Sequence, residues 1–141
     1  ARLGLGYERL SQTNPRLVYV GAYGYSQRGP NAGKAAYDDL IQGASGLPWL
    51  ASQGGEQPPQ YVPVNMADRL TGLHVVYAVT AALFHRTRTG RGQSVEVPMF
   101  ESVAQFVLGD HLAGMSYEPP IGGTGYARLE HRRPYATKDG H

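Results

Sequence analysis

The sequence predicts an α/β fold, and three observations predict it. The apolar run Val18-Tyr19-Val20 feeds straight into a stretch crowded with glycine, from Gly21 to Gly33, as a parallel strand does when its carboxyl end delivers backbone to a ligand. The longest helical pattern, Met66 to Thr87, is followed by Gln93-Ser-Val-Glu-Val97, which alternates polar and apolar like a half-buried strand. Pro98 then opens a further helical pattern, proline being pre-organised for the first helical position. The β–α–β–α order argues for an α/β architecture with fewer strands than a complete open sheet.

Each element has its own justification. Tyr7 to Gln12 is a short helix ended by Asn14-Pro15, because the residue before proline disfavours the helical region. Leu17 to Ala22 is the first strand, its β-branched and aromatic residues suiting a pleated surface. Gly21, Gly24, Gly29 and Gly33 after it allow close approach, although such a stretch also serves as an ordinary surface loop. Tyr37 to Gly43 begins a helix whose acidic first turn, Asp38 and Asp39, complements the dipole. Gly46-Leu47-Pro48 ends it, and Gln53 to Pro63 reads as an irregular connection. In the long helix, Leu70, Leu73, Val76, Tyr77, Ala81 and Phe84 recur at helical spacing and predict one broad apolar face. Arg86 and Arg88 suit its C-terminal end, and Gly90 caps it. The Pro98 helix runs through Phe100, Val103, Ala104, Val107 and Leu108 to Leu112. Glu118 to Gly125 is a loop, and Tyr135 to His141 reads as a strand followed by a turn.

Composition narrows the function classes. With 141 residues, 41% hydrophobic and 17% charged, the chain is globular rather than disordered. A net charge of +2 is too mild to argue for nucleic acid. The basic clusters His85–Arg91 and His131-Arg132-Arg133 read as solvated ends that a phosphate-bearing ligand could also use. The absence of cysteine excludes disulfides, thiolate catalysis and cysteine metal sites, and it fits a reducing, cytoplasmic setting. The apolar segment Leu73 to Phe84 is too short to span a bilayer.

Most motifs fail on inspection. Gly4-Leu-Gly6 lacks the third glycine and the preceding strand of a dinucleotide fingerprint. Gly33-Lys34 resembles the end of a P-loop, but Arg28 stands where the first glycine belongs and Ala35 where Ser or Thr would hold magnesium. His74, His85, His111 and His131 have no zinc spacing, so no metal is expected. No Gly-x-Ser-x-Gly elbow exists. Glu101 is different. It falls in the first turn of a helix that follows a strand directly, where unpaired N–H groups and the dipole favour the anion that a nucleophile or base requires. A glutamate at that place also serves as plain dipole complementation.

Several segments together resemble the class III CoA-transferase family, which includes formyl-CoA transferase, carnitine CoA-transferase and the α-methylacyl-CoA racemases. They are Asn14-Pro15-Arg16-Leu17-Val18-Tyr19, Gly24-Tyr25-Ser26-Gln27-Arg28-Gly29-Pro30 and Ala36-Tyr37-Asp38. Ala67–Leu73, Arg88–Gln93, Val95-Glu96-Val97-Pro98-Met99-Phe100-Glu101 and His131–Tyr135 follow in order. The resemblance covers nearly the whole chain and implies the central section of a longer protein. The implied fold is a fragment of an open Rossmann-like parallel-sheet domain followed by long helices leading toward a second, smaller domain. Residues 1–52 would be the C-terminal part of a CoA-binding α/β domain and 53–65 a linker. Residues 66–117 would hold the long helix, the strand and the Glu101 helix, and 118–141 the start of the small domain.

The resemblance also implies roles. Glu101 matches the position of a nucleophilic carboxylate, usually aspartate, that attacks an acyl-CoA thioester. Transferases carry tyrosine at the place of Tyr37, whereas racemases carry a histidine there, and a phenol is a poor acid–base partner near neutrality. Tyr37 therefore argues for a transferase and would face the thioester or carboxylate. Gly24, Ser26, Gln27, Ala35, Ala36 and Asp38 would line the path of coenzyme A. Tyr37 and Asp38 also have structural readings, as a staple for the preceding loop and as a helix cap. The implied substrates are an acyl-CoA and a carboxylic acid, and the implied assembly is an interlocked homodimer. A non-catalytic interaction module and an α-methylacyl-CoA racemase remain the alternatives.

Overall fold

In the computed structural model, which describes residues 3–52, 55–122 and 134–140, two strands 70 residues apart in sequence pair in parallel. They are β1, Val18–Tyr23, and β2, Gln93–Pro98. Their register sets Val20 beside Val95, Gly21 beside Glu96 and Tyr23 beside Pro98. Partners in a parallel pair share a face. Val18, Val20, Ala22, Val95 and Val97 therefore share one face, and Tyr19, Gly21, Tyr23 and Glu96 the other.

The strands are joined through helices, as a parallel pair requires. A short α1, Tyr7–Thr13, precedes β1. α2, Asp38–Ala44, α3, Leu47–Ala51, and α4, Met66–Thr89, lie between the strands, and α5, Met99–His111, follows β2. A 3₁₀ turn at Ala113–Ser116 ends the second half. The core sits where α2, α4 and α5 meet: Ile41, Ala67, Val103 and Val107 are buried, with Tyr25, Leu70, Met99 and Phe100 packed against them. The fold is thus mixed α/β around a small parallel sheet.

The elements depart from expectation at four places. Gly46 does end α2, in the left-handed region at φ 83°, but Leu47-Pro48 then starts α3. The same glycine is the N-cap, and proline is tolerated in a first helical turn. Pro98 is not the first residue of α5: its ψ of 132° keeps it extended as the last residue of β2. Tyr135 to Thr137 form no strand, and only a turn closes Gly140 N–H onto Thr137 O at 3.0 Å.

The fourth departure concerns α4. Its buried side carries small residues, Ala67, Thr71 and Ala82, which let it approach its neighbours closely. The predicted apolar face is largely turned outward, with Leu73, Val76, Tyr77 and Phe84 all more than half exposed. The helix buries small residues instead, which close packing against its neighbours accommodates. The C-terminal end is as expected: Gly90, at φ 73°, donates its N–H to Arg86 O at 2.9 Å. Gly92 then comes so close to Leu17 that a Cβ would overlap the Leu17 carbonyl. Its N–H donates to Pro15 O at 2.9 Å, which ties the entrances of the two strands together.

Candidate functional site

β2 passes into α5 without an intervening residue. The first turn of α5 therefore stands beside the loop that leaves β1, because the strands are paired in register up to Tyr23 and Pro98. Phe100 N–H donates to Gly24 O at 3.0 Å. The Tyr25 and Phe100 rings also pack on each other, centroids 5.6 Å apart.

Glu101 follows Phe100 in the same turn. Its carboxylate is partly buried and accepts the Ser26 N–H, at 3.0 Å through Oε1 and 3.3 Å through Oε2. The next amide is held as well: Gln27 N–H donates to Glu96 Oε1 at 2.6 Å. Ser26 to Gly29 forms a turn, closed by Gly29 N–H on Ser26 O at 3.1 Å and by Arg28 N–H on the Ser26 hydroxyl at 3.3 Å. Gly29 borders the carboxylate without filling the space, since even a methyl there would stand 3.8 Å from Glu101 Oε1. Charge-assisted bonds of this kind are roughly twice as strong as neutral ones. The single Ser26 N–H, shared by both oxygens, restrains the Glu101 carboxylate.

The other predicted residues group around the same loop. Ala36 sets its methyl against Gly24 so closely that a Cβ on Gly24 would overlap it. The next residue, Tyr37, is the N-cap of α2 and is 71% exposed, so its ring is not committed to the core. Ala35 and Gln27 are exposed, the latter donating its amide to Tyr25 O at 3.2 Å. Gly24, Ser26, Gln27, Ala36 and Glu101 are thus brought together, with Tyr37 one residue beyond the contact.

Asp38 is placed differently. It is buried, with both carboxylate oxygens bonded inside the fold. Oδ1 accepts Gln42 Nε2–H at 2.6 Å, and Oδ2 accepts Asp68 N–H in the first turn of α4 at 2.9 Å. The capping expectation is therefore corrected: Asp38 caps α4, not its own helix. The physical reason is that Asn65, the N-cap of α4, makes no side-chain cap bond. An orphan N–H there is satisfied from another helix. Gln42, fully buried, completes the network by accepting Val62 N–H at 2.9 Å.

Glu96 was not anticipated from sequence, where it read only as the polar position of an alternating strand. A carboxylate on a strand beside a glycine, Gly21, was the available signal. The basic cluster His131-Arg132-Arg133 lies outside the described residues. Among the described residues no group of three or more His, Asp or Glu could hold a metal ion. No helix of the described residues is long and apolar enough to cross a membrane.

A family model described as CoA-transferase family III matches residues 1–141. An acetyl-CoA:oxalate CoA-transferase of Acetobacter aceti is 36% identical over 135 residues, 95% of this chain and 33% of that protein. A succinate–glutarate CoA-transferase of Agrobacterium fabrum is 35% identical over 122 residues, 86% of this chain and 30% of that protein. A CAIB/BAIF family protein of Brucella suis, known from its crystal structure, superposes with a TM-score of 0.75 at 33% identity, covering 86% of this chain and 32% of that one. The chain thus spans about a third of the length of these relatives.

Proposed function

This chain belongs to CoA-transferase family III, and from that premise we propose that it carries the carboxylate that moves coenzyme A from an acyl-CoA to a carboxylic acid. The observation that carries the reading is the Glu101 carboxylate, fixed on the Ser26 N–H at the mouth of a strand–loop–helix junction.

The chemistry divides one exchange into steps. A Glu101 oxygen attacks the thioester carbonyl carbon; the C–S bond breaks and the CoA thiolate leaves, giving an acyl–glutamyl anhydride. The thiolate attacks the Glu101 carbonyl carbon, and the donor acid departs as its carboxylate. The acceptor carboxylate attacks the resulting glutamyl thioester and expels the thiolate again. The thiolate then attacks the acceptor's carbonyl in the second anhydride, which releases the new acyl-CoA and restores Glu101. The Ser26 N–H orients the nucleophile. The Tyr37 hydroxyl faces the reacting group, and the loop of Gly24, Ser26 and Gln27 with Ala35 and Ala36 lines the path of the CoA arm. Asp38 supports that wall from behind by fixing α2 to α4.

The test is mass spectrometry after incubation of the protein carrying this chain with acyl-CoA, followed by hydroxylamine or borohydride. Glu101 is expected to appear as the hydroxamate or the alcohol. A Glu101 that is never modified while CoA is transferred would remove the covalent role. The outward apolar side chains of α4, Leu73, Val76, Tyr77 and Phe84, support assembly as a homodimer. Sedimentation that finds only monomer would refute that part.

A further inference from the structure

One buried amide ties the start of α2 to the start of α4. Gln42 is fully buried. Its Nε2–H donates to Asp38 Oδ1 at 2.6 Å and to Val64 O at 3.4 Å, and its Oε1 accepts Val62 N–H at 2.9 Å. Asp38 carries the link onward, its Oδ2 accepting Asp68 N–H at 2.9 Å. We propose that Gln42 is a positioning residue for the Tyr37 hydroxyl, acting through the Asp38 carboxylate. The proposal rests on the reading that this hydroxyl faces the reacting group, and on no assignment of the acylated carboxylate.

Tyr37 stands between two anchors. On one side Ala36 packs its methyl against Gly24, whose carbonyl accepts Phe100 N–H at 3.0 Å. On the other side Asp38, the first residue of α2, is buried with both of its oxygens bonded. The Tyr37 ring is 71% exposed, so the core does not place it. Its place follows from its backbone, which is the N-cap of α2 and whose carbonyl accepts Ile41 N–H at 3.0 Å. An amide suits position 42 because it donates to a carboxylate and accepts from a backbone N–H at one branch point. An apolar side chain of similar volume leaves Val62 N–H without its acceptor and Asp38 Oδ1 without its described donor. Buried polar groups left in that state draw toward other partners, and the first turn of α2 moves with Asp38. A hydroxyl that must meet a reacting group does not tolerate a shift of about 1 Å.

The experiment is a double-mutant cycle on CoA transfer in the protein carrying this chain, with Gln42→Met, Tyr37→Phe and the double variant, each shown to be folded by circular dichroism. With Tyr37 in place, Gln42→Met is expected to lower kcat about 5- to 10-fold, with KM for acyl-CoA changed less than about 3-fold. In the Tyr37→Phe background no hydroxyl is left to misplace, and the same substitution is expected to lower kcat less than about 2-fold. A general loosening of the fold would lower both backgrounds alike. Should the methionine variant not fold, Gln42→Asn gives the same comparison, since its amide is withdrawn by one methylene and cannot keep both Asp38 and Val62. An equal loss in the two backgrounds, or no loss with Tyr37 in place, overturns the proposal while the CoA-transfer reading stands. An unchanged kcat in Tyr37→Phe alone removes the hydroxyl from the reaction and the proposal with it, an outcome read from a separate arm of the cycle.

Discussion

Asp38 on α2 accepts the backbone N–H of Asp68 in the first turn of α4, 2.9 Å away, so two helices share one cap. The same carboxylate holds Gln42, and Gln42 holds the chain at Val62 and Val64. The wall behind Tyr37 is built on this network. Asp38→Ala leaves the Asp68 N–H without its side-chain acceptor and the buried Gln42 amide with only the Val64 carbonyl. Chemical denaturation is expected to show a loss of about 2–4 kcal/mol. Asp38→Asn is expected to lose nearly as much, because its NH2 must confront one of the two donors.

Gly24 is set by contact rather than by torsion. A methyl there would overlap the Ala36 methyl. Gly24→Ala is expected to cost about 1–3 kcal/mol and to lower CoA transfer by displacing the loop under Glu101. Adding Ala36→Gly vacates the space. The double variant is expected to recover stability, a coupling that a double-mutant cycle reads directly.

Glu101→Gln keeps the shape and an acceptor for the Ser26 N–H but removes the nucleophilic anion. Its folding is expected to change little, while CoA transfer falls by about 10⁴-fold or more. Glu101→Asp keeps the anion but withdraws it by one methylene from the Ser26 N–H. Steady-state kinetics are expected to show a loss of about 10²-fold in kcat.

Tyr37→Phe isolates the hydroxyl. The side chain is 71% exposed, so the unfolding free energy is expected to stay within about 0.5 kcal/mol of the parent's. A hydroxyl bonded to the reacting group contributes about 1–1.5 kcal/mol, so kcat is expected to fall about tenfold. An unchanged kcat would remove Tyr37 from the reaction.

The fold was legible where chain chemistry is local. Val18–Val20, the 66–87 helical period, Gly90 and the Pro98 junction each reported their own element. What sequence concealed was the partner of each group. The outward face of α4 read as a core face because periodicity gives a stripe but not its direction. Gly46 read as a terminus because a left-handed residue both stops one helix and starts another. Asp38 read as a local cap, since nothing in a sequence tells which of two helix ends a carboxylate reaches. The place of Glu101 in the first turn of a helix was legible, but the bond of Glu96 to the Gln27 N–H was not: it reaches a loop 69 residues away.

With no connector between Pro98 and Met99, the sheet acts as a ruler for the chemistry. A slip of β2 by one rung along β1 would carry the first turn of α5 about 3.3 Å along the sheet and reverse its facing. Tolerance for sloppy strand alignment is therefore nil here. Substitutions on the hidden side of either strand, far from any reactant, should tune turnover as sharply as those beside it.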